Sequence, residues 1–406
     1  MSIRLLYLIA ETYPTFRVDV HVLFGKVLPR HNVQSDIVAG KTKGDKGTIN
    51  WGGGETYLCN VSGGVAWRYI STFLHGIRFM LKADRNRYQA IQVRDMPILA
   101  TIGFLIARFK RLKFFYWMSY PIPEGSISLA RDRGLSSGFI KFLFPLIKGH
   151  IGNLLLYHFV LPMTDHVFVQ SDRMKDDLIG RGIHSEKMTP VPMGVDIEAL
   201  QDLDIRPVSD VRLEGKRVLV YLGTLDRPRR IEVLFEMLAI VKDQFPNVVL
   251  ILVGDTHEEE HRNWLKMKAN EVGIRDNLLW TGWIPMSEGW RYVRTAEVGL
   301  SPIPRGNLLD VSSPTKVPEY LALGVPVVCN DNPDQERVIR ESKAGICVFY
   351  SAADFANAVI SMLSLDEKTR NELGMRGRNY VSQYRDYRVI GDNVVNSYNN
   401  LFSKDN

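Results

Sequence analysis

The chain has 406 residues, too many for one ordinary domain and suited to two of roughly 150 to 200 residues each. Its 45% hydrophobic and 24% charged residues are those of a globular protein, which excludes a disordered or fibrous chain. The net charge of +6 conceals an asymmetry, with 21 Lys and Arg against 9 Asp and Glu in residues 1–160 and 30 against 36 in residues 161–406; a basic first half is compatible with a phosphorylated substrate, an anionic membrane surface or nucleic acid.

Ile3 to Ile9 reads as a buried strand. The apolar run is cut short by Glu11 without a small-residue cleavage site, as expected of a strand and not of a signal peptide. A helix follows, with Val20, Leu23, Phe24, Val27 and Leu28 on one face. Val33 to Val38, Ala90 to Val93 and Phe114 to Trp117 read as strands, with a helix from Pro97 to Lys110 between the last two. Val167 to Gln170 is a further strand, and Ser171 caps a helix ending at Gly182. The run Trp51-Gly52-Gly53-Gly54 follows no clear strand and reads as a flexible loop without a phosphate role.

The second half repeats the plan, with strands at Arg217 to Leu222, Val248 to Val253, Leu278 to Thr281, Val298 to Ser301, Val325 to Cys329 and Ile346 to Phe349. Ile231, Leu234, Phe235, Leu238 and Val241 mark a helix between the first two of these. Polar, acidic Glu198 to Gly215 reads as the linker. Alternating strands and helices predict α/β architecture with two doubly wound, Rossmann-like domains facing a cleft: residues 1–200, residues 201–385, and a final helix over 386–406. The longest stretch without a charged residue, Gly149 to Thr164, is short for a membrane span, so a soluble chain is expected. Cys59, Cys329 and Cys347 lack metal-type spacing and read as reduced thiols of a cytosolic protein.

Two segments carry chemistry. In Ser312-Ser313-Pro314-Thr315-Lys316-Val317-Pro318-Glu319, a small-polar turn opens a helix whose free N–H groups and dipole suit an anion. Lys316 adds a full charge, and Glu319 can accept two hydrogen bonds from vicinal hydroxyls such as those of a ribose. In Gly223-Thr224-Leu225-Asp226-Arg227-Pro228-Arg229-Arg230, a glycine turn leads from a strand into arginines placed to hold a diphosphate and stabilise it as a leaving group. Val191 to Asp196, Val253-Gly254-Asp255 and Thr281-Gly282-Trp283 are further markers.

In order and spacing, "VPMGVD", "GTLDRPRR", "LVGD", "TGW" and "SPTKVPEYLALGVPVV" resemble the retaining family-4 glycosyltransferases of the GT-B fold, from Asp165 to about Tyr398. The resemblance implies a nucleotide-diphosphate sugar as donor in the C-terminal domain and an acceptor in the N-terminal domain. It further implies transfer with retention and no required metal or other cofactor. By the same resemblance Glu319 meets the donor ribose, Arg229, with Arg230 and Lys316, meets the diphosphate, and the backbone of Ser313, Pro314 and Thr315 adds to it. Gly223, Thr224, Arg227, Gly254 and Asp255 complete the donor site, while Gly282, Trp283 and Ile284 form the nucleobase loop. The helix from Asp386 to Phe402 crosses back to brace the first domain. This sequence departs from the family pattern at three places: Val311 stands where an acidic residue is usual, with Asp310 out of register, Thr224 replaces an arginine, and Ser119 lies where a histidine is common. These departures leave the donor sugar open.

In the first domain, Arg17, Asp19 and His21 follow the first strand, Arg94 and Asp95 end a later one, and Tyr120 and Glu124 follow Trp117; position makes them candidates to hold the acceptor. Trp67 to Lys82 and Phe139 to Leu161 combine aromatic and aliphatic residues with basic ones, a pattern that suits packing in the core or, with the basic first domain, lying on an anionic membrane surface. The expected protein is thus a cytoplasmic glycosyltransferase, peripheral on the inner face of the plasma membrane. It acts on a glycan or lipid-linked glycan and binds no nucleic acid. A sugar-nucleotide epimerase on the same fold and a nucleotide-sugar-binding protein without turnover are the alternatives.

Overall fold

The computed structural model describes residues 2–15, 17–41, 51–60, 65–135 and 138–403. The chain forms two compact units, one of Met1–Met193 with Tyr387–Asn406 and one of Gly194–Asp386. The division falls ahead of the boundary expected at residue 200. The Val195 amide donates to the Arg385 carbonyl at 2.8 Å, and Val195 and Ile197 are buried in the core of the second unit. The expected linker begins inside a helix, Ile197–Asp202, capped by the Asp196 carboxylate, which accepts the Ala199 amide.

The first unit is built on a seven-stranded parallel sheet: β1 (Ile3–Tyr13), β2 (Val33–Lys41), β3 (Thr56–Asn60), β4 (Ala90–Arg94), β5 (Lys113–Met118), β6 (His166–Val169) and β7 (Met188–Pro190), in the order β3-β2-β1-β4-β5-β6-β7. The central strands are apolar on both sides because helices cover both faces. Its helices include α1 (Asp19–Val27), α2 (Val65–Lys82), α3 (Pro97–Phe109), α4 (Ile122–Arg133) and α5 (Phe139–Leu155). On one face, α1 and the C-terminal helix Tyr387–Ser403 bury Phe24, Tyr398 and Phe402 against Tyr7, Phe115 and Trp117. The aromatics of that last helix are packing residues, with the Tyr398 ring 4.9 Å from Phe168. On the other face, glycines let α2 and α3 sit close: a Cβ on Gly76 would meet Leu8 and Leu99, and one on Gly103 would meet Met80 and Phe114.

The run at Trp51 is not the loose loop expected. Trp51 is 6% exposed, its Nε1–H donates to the Ser35 carbonyl at 2.6 Å, and its ring stands edge-on to Tyr13. The indole belongs to the core of this unit, and Gly52 and Gly53 lie against the backbone of α1, where a Cβ would stand 2.3 Å from the Gly25 carbonyl oxygen and 2.6 Å from that of Phe24, respectively.

The second unit has a six-stranded parallel sheet: β8 (Arg217–Leu222), β9 (Val248–Val253), β10 (Leu278–Gly282), β11 (Val298–Ser301), β12 (Val327–Asn330) and β13 (Gly345–Val348), in the order β10-β9-β8-β11-β12-β13. Strand order reverses between β1 and β4 in the first unit and between β8 and β11 in the second. In open parallel sheets the crevice at the carboxyl ends of such strands is where ligands bind.

Candidate active site

Three glycines line the carboxyl ends of β8, β9 and β10. Gly223, Gly254 and Gly282 have φ of +147°, +128° and +68°, conformations that L side chains rarely adopt. A Cβ on Gly254 would stand 2.3 Å from the Gly223 carbonyl oxygen, so the two turns touch backbone to backbone. Gly282 pairs with Gly254 through an isolated bridge. The result is a floor of bare peptide that starts at β8, beside the switch point, and extends across β9 and β10.

The helix Lys316–Ala322 is aimed at this floor by Tyr320. Its buried hydroxyl accepts the Leu222 amide at 2.7 Å and donates to the Leu300 carbonyl at 3.3 Å, tying the helix to β8 and β11 together. Lys316, one turn earlier, lies over the Tyr221 ring with Nζ 5.2 Å from its centroid, and a Cβ added to Gly223 would be 3.2 Å from that Nζ. Glu319 takes a hydrogen bond from the Thr315 side chain, so the Thr315 hydroxyl leaves the first-turn N–H groups uncapped.

Lys316 and Glu319 keep some exposed surface although protein surrounds them, as groups lining a recess do. Burial lowers the Lys316 ammonium to about 7, helped by the Arg229 guanidinium and opposed by Glu319. Burial raises the Glu319 carboxyl to about 7, against the Thr315 hydrogen bond and the charge of Lys316. Arg229 also acts on the Tyr221 hydroxyl. Gly223, Arg229, Lys316 and Glu319 therefore share one site, rich in N–H donors and positive charge beside a carboxyl group. An anion with hydroxyls attached, such as a nucleoside diphosphate, matches both halves.

Other expected members of the donor site are engaged elsewhere. Arg227 is exposed and pairs with Glu258 at 3.0 Å, because both sit on the outer rim of their turns. Arg230 is exposed in a left-handed conformation, and its carbonyl accepts the Tyr350 hydroxyl at 3.0 Å. Thr224 offers its carbonyl to the Tyr221 hydroxyl. The Asp255 carboxylate is held by Arg262 at 2.8 Å, which shapes the turn. The Ser313 hydroxyl donates to buried Asp334, itself paired with Arg385 at 2.6 Å, leaving the backbone around Pro314 and Thr315 as the available surface. Asp310, near the missing acidic position, is taken by Arg305, and Val311 is buried. Trp283 is half-exposed, stacked on His257 with ring centroids 4.8 Å apart, while Ile284 packs against the core. His257 was not legible as a partner because nothing in its own segment points to Trp283.

In the first unit, buried Arg94 pairs with buried Asp19 at 2.7 Å and reaches Glu11 at 3.3 Å and Asp95 at 3.6 Å. Arg17 lies 3.4 Å from Asp19 and 3.8 Å from Glu11. Glu11, at the polar end of its strand, belongs to this cluster through Arg94 and Arg17. Burial opposes ionisation of Asp19, but Arg94 and Arg17 outweigh it and hold its carboxyl below the ordinary value. For Asp95 burial prevails over Arg94 and raises it. Asp95 takes a strained φ of +53° and is held by the Ser119 amide at 2.8 Å and the Ser119 hydroxyl. The Tyr120 amide lies 3.4 Å from the same carboxylate. Ser119 thus occupies the position of the absent histidine as a partner of Asp95. Two candidates stand apart: His21 is exposed and enters none of these ion pairs, and Glu124 is taken by Tyr157 at 2.6 Å and Arg181 at 3.3 Å.

Among the described residues no group of three or more His, Cys, Asp and Glu side chains is arranged to hold a metal ion. Residues 206–380 match the family of glycosyl transferases group 1. Over 301 residues the chain is 25% identical to an alpha-monoglucosyldiacylglycerol synthase of Streptococcus pneumoniae, covering 71% of this chain and 63% of that protein. Over 210 residues it is 27% identical to a phosphatidyl-myo-inositol mannosyltransferase of Mycobacterium leprae, covering 51% and 52%. The match thus spans less than two thirds of either relative. Its fold is that of a sucrose-phosphate synthase from Thermosynechococcus elongatus, with TM-score 0.70 at 17% identity over 99% of this chain and 100% of the other. It is also that of HepE from Anabaena in complex with UDP, with TM-score 0.68 at 13% identity over 98% and 100%. Residues 206–380 therefore carry a glycosyl transferases group 1 domain, and the two parallel-sheet units have the GT-B fold.

Proposed function

We propose that the protein is a retaining glycosyltransferase that moves a sugar from a nucleoside-diphosphate sugar to a hydroxyl of a lipid-linked glycan or glycolipid, without a required metal. The observation that carries this reading is the convergence of Gly223, Arg229, Lys316 and Glu319 at the switch point of the second sheet. Glu319 accepts the ribose hydroxyls, and Arg229, Lys316 and the uncapped N–H groups before Val317 hold the diphosphate. As the bond between sugar and diphosphate breaks, these donors stabilise the growing charge on the leaving oxygen. The acceptor hydroxyl attacks from the same face and passes its proton to that oxygen, so no protein base is needed and the replacement of a histidine by Ser119 is compatible with turnover. The names of the relatives, which specify a diacylglycerol and a phosphatidylinositol product or substrate, support a lipid-borne acceptor and hence work at a membrane surface.

The test is to incubate the protein with a panel of nucleotide sugars and glycolipid acceptors and to read the new anomeric configuration by NMR. A product with the donor's configuration is expected. An inverted product, or an epimerised donor formed without acceptor, refutes the reading.

A further inference from the structure

Three helices on one face of the first sheet turn apolar residues outward, which reverses the usual arrangement of a surface helix. Along α5 the exposed positions are Ile140, Phe144, Ile147, Ile151 and Leu154, a stripe at helical spacing. Along α2 they include Trp67, Ile70, Leu74 and Leu81, again one stripe. On α3, Leu105 is exposed and Phe109 is 90% exposed. The helices form one surface: α2 packs on α3 and α3 on α5, and the Lys148 ammonium lies 4.5 Å over the Tyr69 ring, joining α5 to α2. Water-soluble proteins rarely show so extended an apolar patch without a partner.

The charges name the partner. Val65–Lys82, Pro97–Phe109 and Phe139–Met163 contain no aspartate or glutamate, while Arg68, Arg78, Lys82, Lys141 and Lys148 are interspersed among the apolar residues; Arg108 is taken by Asp165 at 3.0 Å. Aromatic and aliphatic side chains mixed with cations and free of anions fit the boundary between acidic headgroups and acyl chains. Phe139–Met163 is also long and apolar enough to cross a bilayer by length and composition. Its inner side, however, is docked on the protein: Gly149 is fitted so closely that a Cβ there would stand 2.6 Å from Ile127 of α4, and one on Gly152 would touch Pro123. A helix fixed in this way lies along a surface.

We infer that α2, α3 and α5 form a platform that seats the first unit on an anionic membrane, with the α5 stripe in the headgroup layer. The inference deepens the proposed function, since a lipid-borne acceptor lies in that membrane, but it is tested without donor or acceptor. The experiment is co-sedimentation of the full chain with vesicles of phosphatidylcholine alone or with about one third phosphatidylglycerol. Binding is expected to the anionic vesicles and to weaken with salt. Replacing Phe144, Ile147 and Ile151 together by glutamate should lower it at least about tenfold, with thermal unfolding unchanged because these side chains already face outward. Met375→Glu, at an exposed apolar position of the second unit, should bind as wild type does. Absence of vesicle binding, or equal binding by the triple variant, overturns the platform. A wild-type dimer that the triple variant renders monomeric, without vesicle binding, overturns it in favour of a second copy of the chain. Vesicle binding without sugar transfer would count against the proposed function alone.

Discussion

The Lys316 side chain occupies the space where a side chain on Gly223 would begin: a Cβ there would lie 2.9 Å from Lys316 Cε and 3.2 Å from Nζ. The glycine and the ammonium group therefore define each other's place. Gly223→Ala must push the lysine aside and also strain a backbone at φ +147°. Its expected effect is a loss of at least about tenfold in kcat/KM for the nucleotide sugar, with KM for the acceptor unchanged, measured by steady-state kinetics.

The two groups shifted to about 7 predict a bell-shaped pH dependence of donor use. Lys316 is charged only below its lowered value, so diphosphate binding weakens as pH rises through about 7. Glu319 is charged only above its raised value, so ribose binding weakens as pH falls through the same range. The limbs report the pair together. In a kcat/KM profile, Lys316→Met should remove the alkaline limb and Glu319→Gln the acid limb; profiles that keep both limbs would refute the assignment.

The arginine turn predicts a division of labour. Arg229 acts on Lys316 and Tyr221, whereas Arg227 is bound outward to Glu258. Removing a charge-assisted hydrogen bond costs about 1.5 to 3 kcal/mol, so Arg229→Ala should lower transfer at least about tenfold, and Glu319→Ala likewise. Arg227→Ala breaks only an exposed pair worth about 0 to 1 kcal/mol to stability and should leave transfer within about twofold. Equal losses in Arg227→Ala and Arg229→Ala would show that the diphosphate is held differently.

Arg94→Met tests the buried cluster of the first unit. It strands Asp19 in the interior, a change that typically costs about 3 to 5 kcal/mol. Thermal unfolding should begin roughly 10 °C lower. Arg17→Ala, at a partly exposed position, should spare stability and raise KM for the acceptor while donor affinity stays as in wild type. An unchanged midpoint in Arg94→Met would mean that the ion pair contributes little.

How far the sequence disclosed the fold depends on whether the signal was local. β8, β9 and β11 lie where their apolar runs place them, because a buried parallel strand needs such a run. The short strands β3 and β7 carry no run of their own and exist through pairing with β2 and β6. At the site, Gly223, Gly254 and Gly282 were legible because each follows a strand. The commitments of Arg227 to Glu258, Asp255 to Arg262 and Ser313 to Asp334 were not, since each partner comes from a different segment and only folding selects it. The place of Glu11 is likewise set from outside its own segment, by Arg94 on the neighbouring strand.

In the proposed function the bare-peptide floor of the second unit, with Arg229, Lys316 and Glu319, grips a nucleoside diphosphate. Calorimetric titration of the full chain with UDP, GDP, ADP, CDP and dTDP addresses it most directly. Saturable binding of at least one of them, weakened at least about tenfold in Lys316→Met and in Glu319→Gln, is the predicted result. Binding of none, or equal binding by wild type and both variants, would contradict it.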